Sequence, residues 1–299
     1  MGFIDILNGH YPMRFDKYEM LRDGGSASYA VFSGENKYFM RAVKPAFHST
    51  ALIGADIQVY LHKNGFFVPS IIPTNIGLPY LKTEDEFFII YEFIEGKEIE
   101  PEQDAETVGE IIGSLHHVMK GYPGELEKKD KHFYIGRYVE ILRNRDYPRA
   151  DEFTAYGEQI WDKIKELPRG FCHGDMYCGN IHKTPYGKLY LLDFDTACDG
   201  FPMYDPALIC DMTDYFHFDE RNFDRSKKVL ARFVPEYTKY SSLSQSEIDA
   251  FSYLIAMQHF STQATIMEIF GYDCLNDAEL DYQLEWLCKW LEQCERDVG

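Results

Sequence analysis

The sequence predicts an α+β protein in which a small sheet-forming region, residues 1–95, precedes a larger and mainly helical one, residues 96–299. Three observations carry this. Runs rich in β-branched and aromatic residues, separated by glycine-bearing turns, crowd the start of the chain. Apolar residues at helical spacing dominate beyond Asp104. A chain of 299 residues, 45% hydrophobic and 16% aromatic, can bury a large core and suits one two-part unit or two small domains.

The strand signals are Tyr18 to Val31, Lys37 to Val43 and Glu86 to Ile94. Between the second and third, Leu52, Ile53, Ile57, Val59, Tyr60 and Leu61 recur at roughly helical spacing within Ser49 to Asn64, and Gly65 stands as a stop. That helix is expected to pack on the sheet. Gly96 to Asp104, acidic and bearing Pro101, reads as a linker, with Asp104 capping a helix through His117. Further helices are expected at Tyr134 to Arg145, Asp151 to Leu167, Arg225 to Tyr237, Ser246 to Phe270 and Ala278 to Glu295. Short strands fall within Phe171 to Asp195, and no internal repeat or low-complexity segment is present.

The chemistry is concentrated in His173-Gly174-Asp175-Met176-Tyr177-Cys178-Gly179-Asn180, followed thirteen residues after Asn180 by Asp193-Phe194-Asp195. Phosphoryl transfer has a loose transition state, so a protein mainly positions the reactants and neutralises charge with Mg²⁺. Magnesium is usually held by one or two carboxylates with substrate phosphates, which suits Asp193 and the amide oxygen of Asn180. Asp175, five residues before Asn180, is left to accept the proton of an attacking hydroxyl. Asp193 ends the apolar run Leu189 to Leu192, a strand that delivers a carboxylate to its mouth. Asp195 is a second candidate metal ligand, or else orients its neighbours. His173 reads as a brace for the loop. Cys172, Cys178 and His182 lack a CxxC pair and read as packing residues rather than a zinc site.

The run from Phe171 to Asp205, with HGD, Asn180, DFD and Tyr204-Asp205-Pro206, resembles the aminoglycoside phosphotransferase and choline kinase superfamily. Within it, Phe66-Phe67-Val68-Pro69 through Gly77-Leu78-Pro79-Tyr80 to Tyr91-Glu92-Phe93-Ile94-Glu95-Gly96 resembles the bacterial spore-coat-associated kinase-like branch. The resemblance implies a bilobal protein-kinase-like fold, with a small N-terminal antiparallel sheet lobe that binds nucleotide and a larger helical C-terminal lobe that binds the acceptor. It implies ATP and Mg²⁺ as cofactors and a hydroxyl of a small molecule as acceptor.

The same resemblance assigns further residues. Gly24, Gly25 and Ser26 stand where small residues let backbone N–H groups approach phosphate oxygens. Arg41 falls where the family often has a lysine, with Lys44 three residues on as the other candidate for phosphate; arginine can bind phosphate bidentately where lysine acts as a point charge. The family's frequent helix glutamate falls on Gly54, leaving Asp56 as the nearest acid. Glu92 and Ile94 match the hinge that seats adenine through backbone contacts. Asp205 reads as a cap for the helix it precedes, and the resemblance implies a structural carboxylate supporting the catalytic loop; the two roles are compatible.

A net charge of −19, from 49 acidic and 30 basic residues, disfavours nucleic acid and anionic membranes as partners; it leaves a cationic acceptor attractive, while surface acid that keeps the protein soluble is the better account of the global balance. Asp175, Asp195, Asp199, Asp211, Asp214, Asp219 and Glu220 would attract it, with Tyr204 or Trp286 available for cation–π contact. No run of about 18 apolar residues occurs, the N-terminus lacks a signal-peptide pattern, and seven cysteines without a regular framework fit reduced thiols, so the expected compartment is the cytosol. Two other readings use the same residues: a pseudokinase or protein kinase acting in assembly or signalling, and a metal-dependent phosphohydrolase.

Overall fold

The computed structural model describes residues 3–23, 26–84 and 86–298. They form two compact units, one built from the chain up to Ile99 together with Gly179–Ala197, the other from Glu100–Cys178 and from Cys198 onward. The second therefore donates the excursion 179–197 to the first, so neither unit is a single block of sequence.

The first unit opens with a helix the sequence reading did not anticipate, α1 (Phe3–His10), followed by β1 (Lys17–Arg22), β2 (Ser26–Ser33) and β3 (Asn36–Val43). Then come α2 (His48–Lys63), β4 (Leu81–Lys82), β5 (Phe87–Glu92) and the short β6 (Lys97–Glu98). The first five strands make an antiparallel sheet in the order β1-β2-β3-β5-β4. Strand alternation explains its two faces. Met40 opposes Ile90, and both pack with Val31, Phe88, Leu7 of α1, Tyr11 and Phe15. One residue further on, Arg41 opposes Ile89, and this face carries Phe87, Ile89 and Tyr91 against Ala51 and Ala55 of α2. Fully burying each of these large side chains stabilises by about 1.5–3 kcal/mol, which is why a one-residue slip of β3 is excluded.

The second unit contains α3 (Pro101–Met119), α4 (Arg137–Asn144), α5 (Ala150–Ile164) and β7 (Gly170–Cys172). The chain then supplies β8 (Ile181–Lys183) and β9 (Leu189–Leu191) to the first unit, where they form a three-stranded sheet in the order β6-β8-β9. Returning, it forms β10 (Cys198–Gly200), paired antiparallel with β7, and α6 (Tyr204–Cys210), α7 (Glu220–Tyr237), α8 (Gln245–Asp249), α9 (Phe251–Phe270) and α10 (Asp277–Val298). Buried residues occur all round α9, so it is the central helix of this unit. Trp286 and Trp290 of α10 stack on each other at 4.9 Å, and the Trp290 indole N–H donates to the Ser252 carbonyl at 2.8 Å. Among the described residues no helix is long and apolar enough to cross a membrane.

Several boundaries differ from the sequence expectation for identifiable reasons. The supposed linker is already helical from Pro101, because a proline suits the first helical position. Asp104 is not the cap; it lies in the first turn and accepts from the Glu100 N–H at 3.0 Å. The segment Ser246 to Phe270 is two helices, since the Ser244–Glu247 capping box starts a short one that ends at Ala250. Asp219 caps α7, which therefore starts five residues before the expected Arg225.

Candidate functional site

In the first unit, β3 delivers Arg41 to the Asp193-Phe194-Asp195 segment. Its Nη1 donates to Asp193 Oδ1 at 3.2 Å and to Asp195 Oδ1 at 3.0 Å, and its Nη2 donates to Asp195 Oδ2 at 2.6 Å. The Asp195 pair is bidentate, the arrangement that suits a planar guanidinium best. Burial alone would depress the Arg41 pKa, but Asp193, Tyr91 and Asp195 outweigh it and hold the cation charged. Tyr91, the last buried residue of β5, lies beside Arg41, and burial pushes its phenol pKa up against the pull of that cation. Asp193 has φ 55°, a left-handed backbone that a non-glycine residue adopts only where its surroundings impose it. Buried Phe194 anchors the turn, while the Asp193 carboxylate remains 45% exposed and the Asp195 carboxylate only 15%.

The remaining expected residues of this unit fall as follows. Asn180 is buried, and its carbonyl accepts from the Leu192 N–H at 2.9 Å, tying it to the strand that leads into Asp193. Ser26 begins β2 opposite Val43. Gly24 and Gly25 lie outside the described residues. Glu92 ends β5 with its N–H committed to the Ser70 carbonyl at 2.8 Å, and Ile94 lies in the irregular stretch that follows. Lys44 lies 3.9 Å from Asp23 at the surface, so Arg41 rather than Lys44 is the cation that meets the two aspartates. Asp56 is exposed on α2 and does not replace the helix acid; the carboxylates on Arg41 come from the DFD segment instead.

In the second unit, β7 leads into the loop that carries Asp175. Gly174 has φ 82°, a conformation that disfavours any side chain. Buried Met176 anchors the far side, leaving Asp175 half-buried. Asp205 is not a helix cap, since Met203 occupies that position. Its fully buried carboxylate accepts from the His173 N–H at 2.7 Å through Oδ2 and from the Gly174 N–H at 3.0 Å through Oδ1. It is braced in turn by His116 of α3, whose Nε2 lies 2.9 Å from Oδ2 and whose Nδ1 lies 2.6 Å from the Tyr237 hydroxyl of α7. His173 braces the loop as expected, its Nδ1 accepting from the Asp175 N–H at 3.4 Å. The sequence reading missed His116 and Tyr237, which sit at apolar helical positions and carry no local signal beyond core packing.

The aromatics expected near an acceptor are core. Tyr204 and Trp286 are 4% and 1% exposed, which removes both from contact with a solvent cation. Trp286 packs edge-on against Tyr215 and His259, and those two rings stack at 4.1 Å. Beside them the buried Asp211 carboxyl accepts from the Thr213 N–H at 2.8 Å; burial pushes its pKa up to about 7 and pushes that of His259 down to about 3. Of the expected acidic cluster, Asp214 pairs with His217, Asp219 caps α7, and Asp199 lies 3.9 Å from Arg169.

A homoserine kinase of Rhizobium meliloti strain 1021 is 26% identical over 190 residues, 58% of this chain and 55% of that enzyme, so the match spans about half of that relative. Among solved structures, the amicoumacin kinase hAmiN in complex with AMP-PNP, Ca²⁺ and Ami superposes with a TM-score of 0.76 at 15% identity, covering 96% of this chain and 91% of that one. A microcompartment-associated aminopropanol kinase gives a TM-score of 0.76 at 17% identity, covering 99% and 97%. The fold is thus the protein-kinase-like one that the Phe171 to Asp205 motif led us to expect. The family model APH, described as the phosphotransferase enzyme family, matches residues 18–241, and the chain belongs to that family.

Proposed function

We propose that the protein is a cytoplasmic, ATP- and Mg²⁺-dependent kinase that moves the γ-phosphoryl group to a hydroxyl of a small molecule. The observation that carries this is the Arg41 guanidinium held by Asp193 and Asp195, a fixed cation beside a half-exposed carboxylate in left-handed backbone. Arg41 binds phosphate oxygens, Ser26 with Gly24 and Gly25 approaches them through the backbone, and Glu92 and Ile94 seat the base. Asp175 accepts the acceptor's hydroxyl proton as its oxygen bonds to the γ-phosphorus and the bond to the β–γ bridging oxygen breaks, releasing ADP.

The donor set suits Mg²⁺. Asp193 and Asn180 offer hard oxygens, and among the described residues no group of three or more His, Cys, Asp or Glu gathers as a metal centre. That is the pattern of a metal held by few protein ligands and completed by substrate phosphates. Bound there, Mg²⁺ would neutralise charge developing on the phosphoryl oxygens. Support for a small acceptor comes from the aminopropanol, amicoumacin and homoserine kinases this chain resembles. The net charge of −19 favours an amine-bearing one. Among the described residues the seven cysteines form no disulfide, which suits a reducing compartment.

ATP consumption should be measured across a panel of amino alcohols, hydroxy amino acids and sugars, with the phosphorylated product identified by mass spectrometry. One acceptor should give stoichiometric phosphate ester. ATP loss with no phosphorylated acceptor would replace this reading with a hydrolase, and nucleotide binding without turnover would replace it with a pseudokinase.

A further inference from the structure

We propose that Asp195 is the positioning residue for Arg41, and that Gly54 exists to admit it. This rests on the reading of Arg41 as the cation that binds nucleotide phosphate. Both Asp195 oxygens are engaged by the guanidinium, at 3.0 and 2.6 Å, whereas Asp193 offers it one oxygen at 3.2 Å. An added Cβ on Gly54 would lie 2.7 Å from Asp195 Oδ1 and 3.1 Å from the Asp195 nitrogen and the Phe194 carbonyl carbon. The carboxylate therefore sits against bare helix backbone, in the space where a side chain of α2 would stand. The helix contributes no acid to Arg41, and the DFD segment contributes one in its place. Burial among the aromatic residues of β5, with Tyr91 beside it, adds to the hold of the carboxylates on Arg41.

A metal ligand at Asp195 would have to exchange these charge-assisted hydrogen bonds for the ion, whereas Asp193, three times as exposed, need not. The two carboxylates of one turn thus divide the work: Asp193 faces the metal and Asp195 orients the arginine. The division predicts different responses to metal. An anchor acts on phosphate binding with or without Mg²⁺, and a ligand acts only when Mg²⁺ is present.

The test is titration calorimetry of AMP-PNP into the wild type, Asp195→Asn, Arg41→Met and the double variant, each in EDTA and in Mg²⁺. Asp195→Asn should weaken metal-free binding about tenfold, the size of one lost charge-assisted hydrogen bond, while leaving the ratio of affinities with and without Mg²⁺ unchanged. The double variant should be no weaker than Arg41→Met alone, because Asp195 acts through Arg41. Unchanged metal-free affinity with a lost Mg²⁺ increment would overturn the proposal and make Asp195 a metal ligand; additive losses would overturn it too. If the wild type bound no nucleotide, the kinase reading would fail by itself, and thermal melting of the same four ligand-free proteins would still decide the pair. Coupled losses in Tm sustain it and independent losses sink it. Gly54→Ala should lower Tm more in the wild type than with Asp195→Ala, where only the 3.1 Å contacts to the Asp195 nitrogen and the Phe194 carbonyl carbon remain, and equal cost in both backgrounds would also overturn the proposal.

Discussion

Replacing Asp205 by asparagine keeps the shape of the side chain and removes its charge and one acceptor. Oδ2 takes hydrogen bonds from the His173 N–H at 2.7 Å and from His116 Nε2 at 2.9 Å, and Oδ1 takes one from the Gly174 N–H at 3.0 Å. An amide has one oxygen, so its best placement keeps the first two as neutral bonds and turns an NH₂ toward the Gly174 N–H. One hydrogen bond to a charged group is lost outright, worth about 1.5–3 kcal/mol, and the other two weaken by about 1 kcal/mol between them. The site is fully buried, so water cannot repair it, and about 3–5 kcal/mol is the usual cost of breaking a buried charged network. Tm should fall by about 10 °C. The loop that loosens carries Asp175, and a misplacement of about 1 Å at a reacting group costs about 10²-fold in rate, so kcat should fall by that order. Circular-dichroism melting and single-turnover kinetics test both, with AMP-PNP affinity, which should hold, as the control. A Tm within about 1 °C of wild type together with an unchanged kcat would refute the idea that this carboxylate holds the loop.

Asp175→Asn should lower kcat by about 10²- to 10⁴-fold with nucleotide affinity little changed, because loss of a general base acts on chemistry; near-normal turnover would dismiss the assignment. Asp193→Ala should abolish the Mg²⁺-dependent increment in AMP-PNP affinity by calorimetry, and an undiminished increment would move the metal elsewhere. For pH, the Asp211 carboxyl, raised to about 7, stays protonated in the folded state while the unfolded one ionises, so its contribution to stability falls as pH rises from about 4 to 7. His259, lowered to about 3, acts oppositely between about 3 and 6.5, where only the unfolded chain binds its proton. The two slopes offset in the wild type; Asp211→Asn should therefore rise in stability more steeply with pH than the wild type between 4.5 and 6, by about 1.4 kcal/mol per pH unit, and parallel denaturant-melt profiles for the two proteins would contradict it.

The strands and most helices were legible because their apolar periodicity is what the fold buries. Met40 and Ile90 fill one face of the sheet while Arg41 and Ile89 turn to the other. Where local signals compete, the tertiary context decided. Phe3–His10 buries Leu7 and packs Phe3, Ile4 and Ile6 beside it, but eight residues are too few to hold a helix alone; the sheet it covers makes it. Pro101 marks an end in a sequence and a beginning in the fold, since a missing N–H costs nothing in a first turn. Tyr204 and Trp286 were candidates for cation contact by type, but aromatic rings of that area are buried before they are used.

At the candidate site, the loop that carries Asp175 and the turn that carries Asp193 were legible because local spacing fixes them. What was not legible is everything held across sequence distance. Arg41 and Asp195 are 154 residues apart, and His116 and Asp205 are 89 apart. A missing glutamate at Gly54 reads in one dimension as a lost ion pair, and hence as a sign of weak catalysis. In three dimensions the glycine and the second acid of DFD explain each other: removing the side chain from the helix is the condition for the carboxylate to reach the arginine. The same logic holds for the buried support of the loop. Asp205 was expected as a helix cap, as a support for the catalytic loop, or as both; a carboxylate with no water to solvate it must be satisfied by protein donors, and the donors it finds include the His173 and Gly174 N–H groups of that loop. Departures from a motif are therefore better tested by asking which group fills the vacated volume or accepts the stranded proton than by counting the residue as lost.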